Sequence, residues 1–539
     1  MTDGLGLGDA YGATLQRIKA QGGQKSELGM AALMWISHSE RPLRAEELCH
    51  ALAVEIESTD YNVNNVSSIR TVLSCCQGLV VVDKEGSAVR LVHFTLQEYL
   101  TSRPDLFRSP HAAISETCLT YLNSPQVMAL SASASLSAQH TPFLEYPAIY
   151  WGAHMKKEPT DRGKVLALKL FSHYEPHISI KLLLEHTLRY SISSFLDSYK
   201  FTGLHCACMF GLVEVTRALI ETDGVDINRV DNTGATPISW AASRGHEAVV
   251  ELLLEREDIN PSKADSNRPT PLSWAAENGN EAVVKLLLGR EDASPERLDW
   301  FGRTAFWYAA KNGHEGVVRL LLGREDVNPD MPDNFGRAPV SCAAECGHDA
   351  VVELLLAYGD VNTNRLDNNG QTPISWAASS GQEGVVKLLL AREDVNPDRP
   401  DNDGRIPISH AARNGQERVV KLLLAREDVN PDRLDDFGRT AISLAAEHGR
   451  RTVVKLLLER GDVNPDRRDD EWSRAPILWA AENGHVEVVK MFLERDDVNS
   501  NKPDICGFTV SSYVDIGNGH PVARPRRDPQ APLTPPAYS

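Results

Sequence analysis

The sequence predicts a mainly α protein: an N-terminal helical region carrying a small winged-helix β element, followed by an α-solenoid. Three observations lead there. A motif recurs nine times at spacings of 34 or 35 residues between Thr202 and about Pro503. Upstream of it, apolar helical stretches alternate with two short β-like runs. Beyond it the periodicity stops and the chain becomes rich in Pro and Arg. The implied organisation is a helical lead-in over 1–27, a winged-helix-like region over 28–120, a helical connector over 121–201, the repeats over 202–508, and a degenerate repeat end with a disordered tail over 509–539.

Each repeat reads as helix, turn, helix, projecting loop. In the copy beginning Thr236-Pro-Ile-Ser-Trp-Ala-Ala, Thr is a good N-cap and Pro fits the first helical turn, where its missing N–H costs nothing. Ala241 and Ala242 permit close packing, and Gly245 suits the left-handed conformation that ends a helix. Val249, Val250, Leu252, Leu253 and Leu254 then form a broad apolar face, with Glu247, Glu251 and Glu255 on the wet side. Asp258-Ile-Asn-Pro261 and Asp231-Asn-Thr-Gly234 are turn-rich. A unit of this size buries its apolar face only against its neighbours, so a period in this range marks a stacked solenoid.

At these residues the sequence resembles the ankyrin repeat, whose usual signature begins Thr-Pro-Leu-His-x-Ala. The other copies start at Thr202, Thr270, Thr304, Ala338, Thr372, Ile406, Thr440 and Ala475. Only His205 keeps the signature His; Ser replaces it at Ser239, Ser273, Ser341, Ser375, Ser409 and Ser443, with Trp307 and Leu478 in the other two copies. The resemblance implies an ankyrin-repeat α-solenoid that binds proteins along its length. Trp240, Trp274, Tyr308, Trp376 and Trp479 recur at a position where the family carries a packing residue, and are assigned to the core between repeats.

In the N-terminal third, Leu28 to Ile36, Ala45 to Val54 and Ser68 to Cys76 read as helices. Leu79 to Val82 and Val89 to Phe94 read as strands, joined by a turn at Asp83-Lys-Glu-Gly86. Leu182 to Leu184 and Leu188 suggest a helical lead-in to the repeats. Arg41-Pro-Leu-Arg-Ala-Glu-Glu-Leu48, Arg90-Leu-Val-His-Phe-Thr-Leu-Gln-Glu-Tyr-Leu100 and Tyr150-Trp-Gly152 are similar to the segment after the NTPase domain of fungal NACHT-ankyrin proteins. That resemblance implies the sensor end of a NOD-like receptor NTPase. The chain itself has no Gly-x-x-x-x-Gly-Lys-Ser/Thr: Arg162-Gly-Lys-Val165 lacks the leading Gly and the hydroxyl, and Gly4, Gly6 and Gly8 have neither the strand before them nor the lysine after. The matching place in related receptors makes His93 a vestigial nucleotide-contact candidate, set against a satisfied, partly buried histidine; His50 takes the structural reading.

Composition narrows the function classes. A net charge of −18 argues against phosphate-backbone binding, so no nucleic acid is expected. Nine cysteines, at 49, 75, 76, 118, 206, 208, 342, 346 and 506, form neither a disulfide framework nor paired zinc ligands, and suit a reducing compartment, cytoplasmic or nuclear. No signal-peptide stretch and no apolar run of membrane-spanning length occurs, and Asn65-Val-Ser67 matches a glycosylation acceptor only by composition. His246-Glu247 and His314-Glu315 begin like a metalloprotease motif, but Val250 and Val318 stand where the second His belongs. With no Gly-x-Ser-x-Gly elbow either, the expectation is a non-enzymatic protein with no catalytic residue, metal or cofactor.

Two sets of positions are expected to stay exposed on the concave side. The loop tips carry Trp300, Phe301, Phe335, Phe437 and Trp472, with Arg303, Arg337, Arg405, Arg439 and Arg474 just beyond; these types dominate interface hot spots. The ends of the first helices add Arg244, Glu277, Asn278, Lys311, Glu345, Arg413, Glu447 and Glu482. The expected partner is a protein docking along this row, set against the alternative that each aromatic packs on the neighbouring loop and each arginine pairs locally with Asp or Glu. In the tail, Pro535, Pro536 and Tyr538 fit the Pro-Pro-x-Tyr ligand of WW domains, which would make the chain an adaptor for a WW-containing ubiquitin ligase.

Overall fold

The computed structural model describes residues 7–56, 61–83, 87–130, 141–174, 177–188, 200–265, 269–359, 361–515 and 520–521. The chain forms two compact units, Met1–Ser266 and Asn267–Ser539.

In the first unit, α1 (Leu7–Ala20), α2 (Gly23–His38), α3 (Ala45–Ala51) and α4 (Ile69–Cys75) precede a two-stranded wing, β1 (Val80–Val82) and β2 (Val89–Leu91), and then α5 (Phe94–Thr101). The wing is antiparallel, with Val80 opposite Leu91 and Val82 opposite Val89. Both strands are shorter than the sequence suggests, β2 because His93 leaves the ladder to cap α5. Residues 84–86 of the expected turn lie outside the described residues. Helix α2 approaches α4 so closely that a Cβ at Gly29 would stand 2.8 Å from the Cys75 carbonyl oxygen, which is why no larger residue fits. Glu47, in the first turn of α3, is fully buried. It accepts two 2.8 Å bonds from Arg41 and one of 2.7 Å from the Arg44 N–H. Burial pushes its pKa up, but these donors outweigh burial and hold it below the ordinary value.

The connector consists of α6 (Pro110–Leu122), α7 (Pro125–Met128), α8 (Glu145–Lys157), α9 (Asp161–Phe171) and α10 (Ile178–Leu188), the last being the expected lead-in. Trp35, Tyr121, Phe143, Tyr146 and Trp151 fill a core that continues through Phe201 and Cys206 into the first repeats. Two helical hairpins complete the unit: Gly203–Phe210 with Val213–Ile220, and Pro237–Ser243 with Glu247–Leu254.

The second unit holds seven further hairpins, from Pro271–Glu277 with Glu281–Leu288 to Pro476–Glu482 with Val486–Leu493. First helices pack on first helices and second on second. The hydroxyls of Thr270, Thr304, Thr372 and Thr440 accept from the N–H three residues on, as N-caps should, whereas Ala338, Ile406 and Ala475 supply no side-chain cap. The paired valines of each second helix, such as Val317 and Val318, are buried. Past the last hairpin, the single turn Val510–Tyr513 packs on Pro476–Glu482, with Val510 and Tyr513 buried, and so covers the end of the array.

Candidate interaction surface

The projecting loops of the repeats are built around a buried aspartate. Asp299 Oδ1 accepts from the N–H groups of Phe301 and Arg303, both at 2.8 Å, and Asp333, Asp367, Asp401 and Asp435 repeat the arrangement in the next four loops. Its second oxygen takes a donor from the following helix. Trp240 donates to Asp231 at 2.8 Å, Tyr308 to Asp299 at 2.8 Å, Trp376 to Asp367 at 3.0 Å, His410 to Asp401 at 2.8 Å and Trp479 to Asp469 at 2.8 Å. These aromatics sit among the packed first helices as expected, Trp240 and Tyr308 buried and Trp274, Trp376 and Trp479 partly so. Their polar tips also lock the loop to the helix, which residue type alone did not reveal. The missed signal is an Asp nine residues before each of Trp240, Tyr308, Trp376 and His410.

The arginine row faces inward rather than outward. Arg303 bonds Asp299 at 2.7 Å; Arg337 bonds Asp333 at 3.3 Å and Glu345 at 3.4 Å; Arg439 bonds Asp435 at 3.2 Å and Glu447 at 3.4 Å. Arg405 pairs with Asp403 at 2.8 Å. Arg474 is only 7% exposed, held by Glu482 at 2.6 Å, Asp504 at 2.9 Å and the Tyr513 hydroxyl at 3.2 Å. The expectation of a solvent-facing guanidinium is therefore corrected at Arg474. At Arg337 and Arg439 the loop aspartate and the helix-end glutamate form a two-sided acidic socket, and a planar five-donor fork fills it better than water does.

What remains outside is the row of rings. Trp300 is 58% exposed, Phe301 46%, Phe335 54% and Phe437 39%, while Trp472 is partly covered. Each phenylalanine is backed by an arginine: the guanidinium carbon lies 4.5 Å from the ring centroid for Arg303 and Phe301, 5.8 Å for Arg337 and Phe335, and 4.9 Å for Arg439 and Phe437. The cation steadies one side of each ring and leaves the rest to solvent. Backbone bonds tie neighbouring tips together, from Asn334 N to Phe301 O at 2.7 Å and from Asn368 N to Phe335 O at 2.9 Å. Of the helix-end set, Arg244, Asn278 and Arg413 are exposed, and Glu277, Lys311, Glu345, Glu447 and Glu482 are half-buried.

The histidines take structural roles. His314 Nε2 and His348 Nε2 bond the Glu277 and Lys311 carbonyls of the preceding repeat at 2.8 and 2.9 Å. Gly313, at φ +75°, makes room for this: a Cβ there would lie 2.4 Å from His348 Nδ1. His93 is exposed rather than partly buried, and its Nδ1 caps α5 by accepting from the Thr95 N–H at 3.3 Å. His50 bonds the Tyr61 hydroxyl. Arg162-Gly-Lys-Val165 lies in the first turns of α9, not in a loop.

Glu40, His111 and His154 bring ligand atoms within 4.8 Å of one another. Those atoms are engaged, His111 Nδ1 with His154 Nδ1 at 2.8 Å, His154 Nε2 with the Tyr146 hydroxyl at 2.8 Å, and Glu40 with Lys157 at 2.6 Å. All nine cysteines are free and seven are buried. Burial raises the thiols of Cys49 and Cys76 to about 11 and about 12, which disfavours the reactive thiolate. Pro535, Pro536 and Tyr538 lie outside the described residues. Among the described residues no helix is long and apolar enough to cross a membrane.

Comparison with known families agrees with this geometry. The family described as Ankyrin repeats (3 copies) matches residues 169–265, 215–299, 258–331, 325–401, 360–435 and 408–504, and so more than half of the chain. The family described as GPI inositol-deacylase, winged helix domain, matches residues 16–113, which contain the wing. No curated protein matches the chain.

Proposed function

The chain belongs to the ankyrin-repeat family, and from that premise we propose that it is a non-enzymatic scaffold that captures a protein partner on the loop-tip rings of its second unit. The observation that carries this is the exposure of Trp300, Phe301, Phe335 and Phe437 on tips whose backbone is fixed from beneath by buried aspartates. A preorganised aromatic loses little freedom on binding, and bulky rings supply most of the energy of an interface. Arg303, Arg337 and Arg439 act as the foundation of this edge, since each is paired with the aspartate of its own loop.

A photocrosslinking phenylalanine at position 335 tests the reading in cells that contain the partner. Crosslinked protein should appear from position 335 and not from position 353 on the outward side of a second helix; equal yields from both would refute it.

A second reading, the sensor part of a NACHT NTPase, rests on the resemblance of Arg41 to Leu48 and Arg90 to Leu100 and on the solvent-facing Val81, Val92 and Phe94 at the wing, which leave an apolar face for a further domain. It requires an in-frame P-loop upstream of Met1 at the locus, which sequencing of the full transcript would reveal or exclude.

A further inference from the structure

We propose that a groove in the first unit, between α8, α10 and the first two repeat hairpins, receives an acidic peptide segment bearing a bulky apolar side chain. The groove has a volume of about 850 Å³ and an apolar floor of Ile149, Tyr150, Leu183 and Phe210. Lys156, Lys157 and Arg244 stand at its rim.

Their charges are unequally satisfied. Lys157 is offset by Glu40 at 2.6 Å. Lys156 instead meets the neutral ring of His246, whose Nδ1 lies 3.0 Å from the ammonium. His246 Nε2 is turned to the Met209 carbonyl at 3.0 Å, so Nδ1 is the acceptor and the lysine is the donor. This bond aims the ammonium while leaving it two free N–H donors. Arg244 is exposed, and among the described residues neither it nor Lys156 pairs with a carboxylate. Partial removal from water lowers the Lys156 pKa, a cost that a bound carboxylate would offset.

Charge complementarity thus selects an acidic occupant, on a chain whose net charge of −18 otherwise repels one. The apolar floor asks the same occupant for a hydrophobic side chain. The space exceeds what a single anion needs and suits a few residues of extended chain.

The inference rests on the reading of the chain as a binding scaffold, but uses a different surface. Calorimetry on the full chain with acetyl-Glu-Asp-Leu-Phe-Glu-Asp-amide tests it. Lys156→Glu and Arg244→Glu should each weaken binding at least tenfold. Arg70→Glu, an equal charge change at an exposed position of α4, should leave it within about twofold, as should the combined Phe301→Ala, Phe335→Ala and Phe437→Ala variant. Replacing Leu-Phe by Ser-Ser in the peptide should abolish binding. No heat at millimolar peptide, or wild-type affinity in Lys156→Glu with native circular dichroism, would overturn the groove proposal. If crosslinking at position 335 still succeeded, the scaffold reading would stand without it. Loss of peptide binding in the ring variant would likewise overturn the groove and leave the rings.

Discussion

The two units solve the same problem of burying apolar surface in different ways. The first packs α1 to α10 and two hairpins around one non-repeating core, with polar groups such as Glu47, His154, His177 and His205 sealed inside. The second repeats one hairpin, and with it one set of bonds: a buried aspartate under each loop, an arginine or aromatic donor on it, and a side chain reaching the carbonyl of the repeat before. Repetition separates structure from function by inspection. The loop aspartate stays constant from Asp299 to Asp435 while the tip beside it varies through Phe301, Phe335, Asn369, Asp403 and Phe437. Outside its two hairpins, the first unit has no second copy to show which residues are free to change.

The contrast should be widest on acidification. Burial holds His154 down to about 3, and His177 and His205 down to about 4. The unfolded chain takes up these protons near pH 6.5, the native state only near 3 to 4. Their contribution is therefore complete above about 6.5 and lost as pH falls through that window, on the order of 3 kcal/mol for each histidine by pH 4. The Arg–Asp pairs of the second unit, such as Arg392 with Asp394 and Arg426 with Asp428, hold their carboxylates below the ordinary 3.8, so their support persists until pH drops beneath that value. Hydrogen exchange should show the first unit opening at pH 5 before the second; simultaneous opening would erase the distinction.

Next in size is the buried ion pair. Arg41→Ala leaves the buried Glu47 carboxylate with only the Arg44 donors and should cost the first unit about 3 kcal/mol in urea unfolding, with the second unit's transition unmoved. In the second unit, Gly313→Ala forces a left-handed alanine against His348 and should cost about 2 kcal/mol. Trp376→Phe keeps most of the packing but leaves Asp367 without its indole donor, a loss of about 1 kcal/mol. A cost below about 0.3 kcal/mol would mean that the loop lock contributes nothing.

The period, the Thr caps, the left-handed glycines and the packing role of the tryptophans were legible because each depends on local spacing. The direction of the arginines was not. Arg303 and Phe301 are two residues apart and both look exposed by type, yet one turns under the loop to Asp299 and the other turns out. That choice follows the buried loop aspartate, joined at Arg337 by Glu345, a partner eight residues away whose reach only the folded hairpin defines. The groove beside Lys156 was invisible for a similar reason: α8 and Arg244 are nearly ninety residues apart in sequence.

The smallest expected effect on stability carries the largest on function. Phe301→Ala, Phe335→Ala and Phe437→Ala together remove only exposed rings and their cation contacts, so the melting temperature should fall by no more than a few degrees. The affinity for the partner recovered by crosslinking should drop at least a hundredfold in that variant and stay within twofold in a Lys387→Ala, Lys421→Ala, Lys455→Ala control on the second helices. An unchanged affinity in the ring variant, with its fold intact, would contradict the claim that the loop-tip row is where this scaffold binds.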